Sequence, residues 1–304
     1  MHRQAHHSAL ERGDRKMESN KNIEINGIDV PSFFYGTAWK EERTQELTEL
    51  ALQYGFRAID TANQRKHYFE EGVGRAIESF LKRSDLSRKD LFLQTKFTFA
   101  DSQDHRMPYK PGASIKSQVK DSFESSLQHL KTDYIDSYIL HGPSKSFGLG
   151  QSDHEAWQSM EELYIDGKCR LLGISNVNIE QLSILCDEAK IKPSFVQNRC
   201  FAASAWDVDV REFCREQKIQ YQGFSLLTAN QLYLQSQAIH EMAKNLQRSV
   251  PELIFRFAID VGMIPLCGSK NPEHLKEDLS IYDFHLGREE ISIIEQIAKV
   301  QSLR

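Results

Sequence analysis

Eight short apolar runs, each followed by a stretch of helical period, predict an α/β fold of the (β/α)8 TIM-barrel class. An alternating segment ahead of them predicts an N-terminal β-hairpin. Three observations carry this expectation. The runs recur without an evident linker, and strands separated by helices must pair in parallel through crossover helices. The first run ends in Tyr35-Gly36-Thr37-Ala38-Trp39-Lys40, which supplies no GxGxxG turn, so an open dinucleotide-binding sheet is disfavoured. The residues just beyond several runs are polar or titratable, as expected where a barrel builds its active site.

The elements come in order. Ile23-Glu24-Ile25-Asn26-Gly27-Ile28-Asp29-Val30 alternates apolar and polar residues around Asn-Gly, the pair that tolerates the positive φ of a type I′ turn. The strand runs are Phe33 to Gly36, Arg57 to Asp60, Leu91 to Phe97, Ile135 to Leu140, Arg170 to Ser175, Phe195 to Gln197, Ile219 to Ser225 and Met263 to Leu266. Helical segments between them include Thr44 to Tyr54, Glu71 to Leu81, Ile115 to Leu130, Glu155 to Asp166, Asn178 to Ala189 and Asp207 to Gln217. In Ile115 to Leu130 the apolar residues Ile115, Val119, Phe123 and Leu127 recur every four positions, one face of a helix. Residues 1–21 read as a disordered tail, with Met17 as a possible start, and residues 22–304 as a single barrel domain.

Composition narrows the function. The chain has 304 residues, 40% hydrophobic and 27% charged, with a formal charge of −5. That balance, and the lack of a basic patch with interleaved aromatics, argues against nucleic acid. No apolar stretch is long enough to span a bilayer. The odd set Cys169, Cys186, Cys200, Cys214 and Cys267 contains no CxxC, which argues against a disulfide framework or a structural metal site and for reduced thiols in the cytoplasm. A monomer or weak homo-oligomer is expected.

The strand ends give the chemical candidates. Asp60 closes the second strand, Lys96 stands at the end of the third, and the fourth runs into His141. Ser175-Asn176, Gln197-Asn198 and Phe224-Ser225 follow at the fifth, sixth and seventh. Asp60 and Lys96 sit on neighbouring strands among apolar residues, where a lone charge is costly, so each needs the other. A structural ion pair at the barrel rim and a catalytic pair are both consistent with this pattern.

Taken in order, Gly36-Thr37-Ala38-Trp39, Asp60-Thr61-Ala62, Tyr68 with Val73-Gly74, Gln94-Thr95-Lys96, Leu140-His141-Gly142-Pro143, Gly173-Ile174-Ser175-Asn176, Gln197-Asn198 and Pro272-Glu273 resemble the aldo-keto reductases from about Asn22 to Ala298. The resemblance implies an NAD(P)H-dependent reductase that turns aldehydes or ketones into alcohols. Its catalytic residues would be Asp60, Tyr68, Lys96 and His141. Tyr68 would donate the proton, with the Lys96 ammonium lowering its pKa from about 10. His141 would align the carbonyl. In the commonest family pattern the tyrosine follows the aspartate by five positions; here the interval is eight, so the loop before Tyr68 is remodelled.

The implied cofactor is NADPH, with NADH possible. Its contacts would come from Gly36, Thr37, Ser175, Asn176, Gln197, Phe224, Ser225 and Leu227, and, after the last strand, from Gly268, Ser269, Lys270, His274, Glu277 and Asp278. The family commonly clasps the 2′-phosphate with a Lys and an Arg, where this chain has Gly268 and His274. Ser175 and Asn176 can equally serve as helix caps. Trp39, Tyr109 and His141 would line the substrate pocket. Two alternatives stand beside this reading: a catalytically quiet nicotinamide-binding regulatory protein of the same fold, and an aldolase using Lys96 as a Schiff base.

Overall fold

The computed structural model describes residues 21–301. Strands β1 (Asn22–Ile25) and β2 (Ile28–Pro31) pair antiparallel, with Ile25 opposite Ile28. Asn26 and Gly27 take φ of 51° and 76°, both on the positive side that a type I′ turn requires. Ile25 and Val30 of the hairpin pack with Phe34, Phe92, Phe195 and Ile264 of the barrel strands, so the hairpin plugs one end of the barrel. The expected disordered tail lies outside the described residues except at Lys21, whose carbonyl accepts the Ser32 N–H at 2.8 Å.

Eight parallel strands close that barrel. They are β3 (Phe34–Gly36), β4 (Ala58–Asp60), β5 (Phe92–Phe97), β6 (Ile135–Leu140), β7 (Cys169–Ser175), β8 (Phe195–Arg199), β9 (Gln220–Phe224) and β10 (Ile264–Cys267). Each neighbours the next in sequence, and β10 returns to β3 with Leu266 opposite Phe34. The crossovers carry α1 (Thr44–Tyr54), α2 (Glu70–Leu81), α3 (Ile115–Leu130), α4 (Gln151–Ile165), α5 (Ile179–Glu188) and α6 (Val208–Gln217). Beyond β9 come α7 (Gln231–Leu234), α8 (Gln237–Leu246) and α9 (Val250–Asp260). After β10 the chain adds α10 (Pro272–Asp278), α11 (Arg288–Glu295) and α12 (Ile297–Gln301). None of the described helices is long and apolar enough to cross a membrane.

Two of the helix starts that differ from expectation have clear local reasons. Helix α4 begins at Gln151, a turn before Glu155, because buried Asp153 accepts the N–H groups of Gly150 at 2.7 Å and Ser144 at 2.6 Å. Helix α5 is capped by Asn178, whose side chain accepts the Gln181 N–H while the Gln181 side chain accepts the Asn178 N–H. Ser175 and Asn176 are thus not needed as caps. Between α2 and α3 the backbones nearly touch. A Cβ on Gly74 would stand 1.9 Å from the His129 carbonyl, so only glycine fits there.

Alternation along the strands sets the barrel interior. Phe34, Ala58, Phe92, Ile139, Leu171, Phe195 and Ile264 form one apolar layer with the hairpin. Two residues further along, the same faces of β4, β5, β8 and β9 carry Asp60, Gln94, Gln197 and Gln222. Strands β5 and β9 are not neighbours, yet Gln94 and Gln222 are hydrogen-bonded, so their side chains meet across the interior. The floor of the barrel is apolar and its upper part polar.

Candidate active site

The polar layer holds Asp60 and Lys96. The Asp60 Oδ1 accepts from Lys96 Nζ at 2.6 Å, Gln94 Nε2 at 2.7 Å and Gln197 Nε2 at 3.0 Å. The Gln222 Oε1 takes a second bond from each of those amides, at 2.8 and 2.9 Å. Lys96 Nζ also donates to the Thr61 carbonyl at 2.7 Å, which leaves the third N–H of its ammonium for another group. That group stands close: Nζ lies 5.2 Å from the centre of the Tyr68 ring. Burial holds the Lys96 pKa below its ordinary value, against the pull of Asp60.

Tyr68 arrives by a compact turn. The N–H groups of His67 and Tyr68 both donate to the Gln64 carbonyl at 3.0 Å. Gln64 is itself tied to the Ser102 carbonyl, and Asn63 to Ser122 and Ser126. The longer Asp60–Tyr68 interval is taken up by this turn. It sets the Tyr68 ring 5.8 Å from that of His141, edge to face at 67°. The expectation that Lys96 lowers the Tyr68 pKa is corrected. Burial first, and the Asp60 carboxylate second, push the phenol upward, so it stays protonated.

His141 is fixed at backbone and ring. Its N–H donates to the Phe97 carbonyl at 2.9 Å, and its Nδ1 lies 2.7 Å from Thr98 Oγ1. Burial, then Lys96 and His67, hold its pKa well below the usual value, so the imidazole is neutral. The structure therefore brings Asp60, Tyr68, Lys96 and His141 together at one mouth of the barrel.

The expected cofactor residues divide. Ser175 Oγ donates to the Gln197 carbonyl at 2.6 Å, and Asn176 Nδ2 to the His141 carbonyl at 2.8 Å. Asn176 is exposed with φ of 53°. Gln197 Oε1 and Asn176 Oδ1 have no partner among the described residues, so each can accept from a ligand amide. Phe224, Ser225 and Leu227 are half-buried at the end of β9. Thr37 is spent locally: its N–H and Oγ1 both bind the Asp60 carbonyl at 2.9 Å. Gly36 is half-buried at the end of β3. In the loop after β10, Gly268, Lys270, His274 and Glu277 are exposed and Ser269 half-buried. Asp278 departs from its expected place near the adenine, since it is buried and accepts from the Cys267 thiol at 2.8 Å. All five cysteines are buried and unpaired. Unpartnered amide oxygens, a half-exposed ring at the mouth and an open glycine-bearing loop fit a nicotinamide dinucleotide.

Trp39 is 58% exposed and lies on His67 with ring centres 4.0 Å apart, forming a rim. Tyr109 corrects another expectation. It is buried, and its hydroxyl donates to the Thr98 carbonyl at 2.6 Å, so it pins the long loop after β5 rather than lining the substrate pocket.

The Aldo/keto reductase family matches residues 32–299. The chain belongs to the aldo/keto reductase family. It is 32% identical over 277 residues to a glyoxal reductase of Bacillus subtilis, covering 90% of this chain and 91% of that one. It is 28% identical over 270 residues to the methylglyoxal reductase DkgA of Escherichia coli K12, covering 85% and 86%. Among solved structures, an aldo/keto reductase of Brucella melitensis superposes with a TM-score of 0.77 at 26% identity, covering 91% and 97%.

Several residues of this site escaped sequence reasoning. Gln94, Gln222 and Thr98 share inward strand parity with Lys96 or its barrel-crossing neighbours, and that parity was the available signal. His67 gave none. Lys40 is buried, and its Nζ donates to the Gly268 carbonyl at 2.9 Å. A Cβ on Gly268 would lie 4.0 Å from that Nζ. A lysine from the loop after β3 thus delivers its ammonium beside the position where the family commonly carries one.

Proposed function

We propose that this chain is an NADPH-dependent reductase of aldehydes and ketones, with small 2-oxoaldehydes such as glyoxal and methylglyoxal as its preferred class. The observation that carries the reading is the meeting of a protonated phenol, a buried ammonium and a neutral imidazole at one barrel mouth. The names of the two bacterial relatives support the substrate class.

When bound, the dihydronicotinamide supplies the hydride. The protein manages the oxygen. His141 offers a ring nitrogen to hold the carbonyl oxygen, because Nδ1 is already engaged. Tyr68 keeps its proton until the oxygen becomes an alkoxide, a base strong enough to take it from a buried phenol. Lys96, oriented by Asp60 and the Thr61 carbonyl, then stabilises the phenolate left behind. Ser175, Asn176 and Gln197 would hold the carboxamide, and Phe224 would pack on the ring. Gly36, Ser225, Leu227 and the loop bearing Gly268, Ser269, Lys270, His274 and Glu277 would line the rest of the dinucleotide, with Lys40 supplying positive charge. A Schiff-base role for Lys96 fits less well, since its nitrogen already donates to Asp60 and Thr61.

The test is NADPH and NADH oxidation with glyoxal, methylglyoxal and a panel of simpler carbonyls. Tyr68→Phe should cut turnover about 10²–10⁴-fold. Full turnover by this variant would remove Tyr68 as the acid.

A further inference from the structure

We propose that Thr98 is a positioning residue whose hydroxyl donates to Nδ1 of His141 and so fixes the imidazole with its proton on Nε2. The inference rests on the reading of His141 as the group that holds the carbonyl oxygen. Nothing in the catalytic set implied by the family resemblance includes Thr98.

Counting protons sets the direction of the bond. Thr98 follows β5 two positions after Lys96, so its side chain shares the inward parity. It is 2% exposed, and its Oγ1 lies 2.7 Å from His141 Nδ1. That hydroxyl has no second partner among the described residues. If Nδ1 carried the proton and donated to Thr98, the hydroxyl would keep its own proton buried without an acceptor. A buried donor left unmade costs about 1–3 kcal/mol. With the hydroxyl donating instead, both atoms are satisfied by one bond.

The partners are also held in place. The Thr98 carbonyl accepts from the Tyr109 hydroxyl at 2.6 Å. The His141 backbone is gripped on both sides, by the Phe97 carbonyl and by Asn176 Nδ2. The consequence lies at the other ring nitrogen. Nε2 has no protein partner among the described residues, and a neutral imidazole has only one N–H. With Nδ1 bare, Nε2 presents a donor to the carbonyl. The other tautomer would present a lone pair to the lone pairs of the substrate oxygen and repel it.

The experiment is ¹⁵N NMR of the histidine-labelled protein without ligand, with the His141 signals assigned by their loss in His141→Asn. The wild type should show the Nε2–H tautomer. Thr98→Val, matched in shape but without the hydroxyl, should show a tautomer mixture, and Thr98→Ser should restore the wild-type pattern. In parallel, Thr98→Val should lower kcat/KM for the carbonyl about tenfold with the KM for NADPH unchanged, and Thr98→Ser should stay within about twofold of wild type. An Nδ1–H tautomer in the wild type overturns the proposal even if the valine variant does not fold. An unchanged tautomer and unchanged rates in a folded Thr98→Val overturn it as well. A wild type that reduces no carbonyl with either cofactor defeats the reductase reading, while the tautomer result still decides the Thr98–His141 geometry.

Discussion

The barrel mouth at β4 to β6 and the loop after β10 treat polar groups in opposite ways. At the mouth, one oxygen of Asp60 serves three donors, and the two amides among them are shared with Gln222 across the barrel. In the loop, Gly268, Lys270, His274 and Glu277 stand in solvent, while Cys267 and Asp278 form a buried polar pair. An interlocked group cannot be replaced alone without orphaning its partners. A solvated one can. Here the chain carries Asp60, Tyr68, Lys96 and His141, the set its family resemblance implies, and departs from the family pattern at Gly268 and His274.

The sharpest way to break this contrast is Lys96→Met. The substitution keeps volume and leaves the Asp60 carboxylate buried without its cation. Removing one partner of a buried pair costs about 3–5 kcal/mol, and urea unfolding at neutral pH should show a loss of that size together with lost turnover. A loss below about 1 kcal/mol would mean that the glutamine amides alone satisfy Asp60.

Asp278 gives a smaller effect with a defined pH sign. Burial pushes its pKa up to about 6 from 3.8. Between those values the folded chain holds a proton that the unfolded chain has released. The stabilisation is therefore complete below the lower value and lost as pH rises through the upper one. Above it the protein carries a buried carboxylate beside the Cys267 thiol. Asp278→Asn should accordingly stabilise the protein by about 2–3 kcal/mol at pH 7.5 and by almost nothing at pH 4, read from melting temperatures across that range. An equal gain at both pH values would show that packing, not titration, is responsible.

The same contrast separates what the chain displays in its sequence from what it hides. Asp60, Lys96 and His141 were legible because each ends an apolar run, and the barrel turns that position into its mouth. Gln94 and Gln222 sit inside the runs, where only parity distinguishes an inward amide from an outward one. Tyr68 was reached by resemblance alone, since the turn on Gln64 that places it has no periodic signature. Tyr109 misled because a polar loop reads as exposed, whereas this loop folds its tyrosine back onto Thr98. The bond from Lys40 to Gly268 joins residues 228 positions apart, and no local pattern encodes that.

That last contact yields the finest comparison. Lys270 is exposed, so its charge is screened and solvated, and Lys270→Ala should raise the KM for NADPH only about twofold, an effect that fades in high salt. Lys40 is 3% exposed, with its ammonium against the Gly268 carbonyl and 4.8 Å from the centre of the Tyr35 ring. A charge-assisted bond from such a site to a phosphate is worth more, and Lys40→Met should raise the KM for NADPH about tenfold. Burial lowers the Lys40 pKa to about 8, so the wild-type KM should climb as pH rises above that value and the methionine variant should lose the climb. Comparing NADH separates the phosphates. A contact to the 2′-phosphate leaves the KM for NADH unchanged in the variant, whereas a contact to the pyrophosphate raises both. Equal small effects for Lys40 and Lys270 would mean that the loop after β10 binds its cofactor without a buried cation, and that Lys40 serves only to tie the barrel's closing strands together.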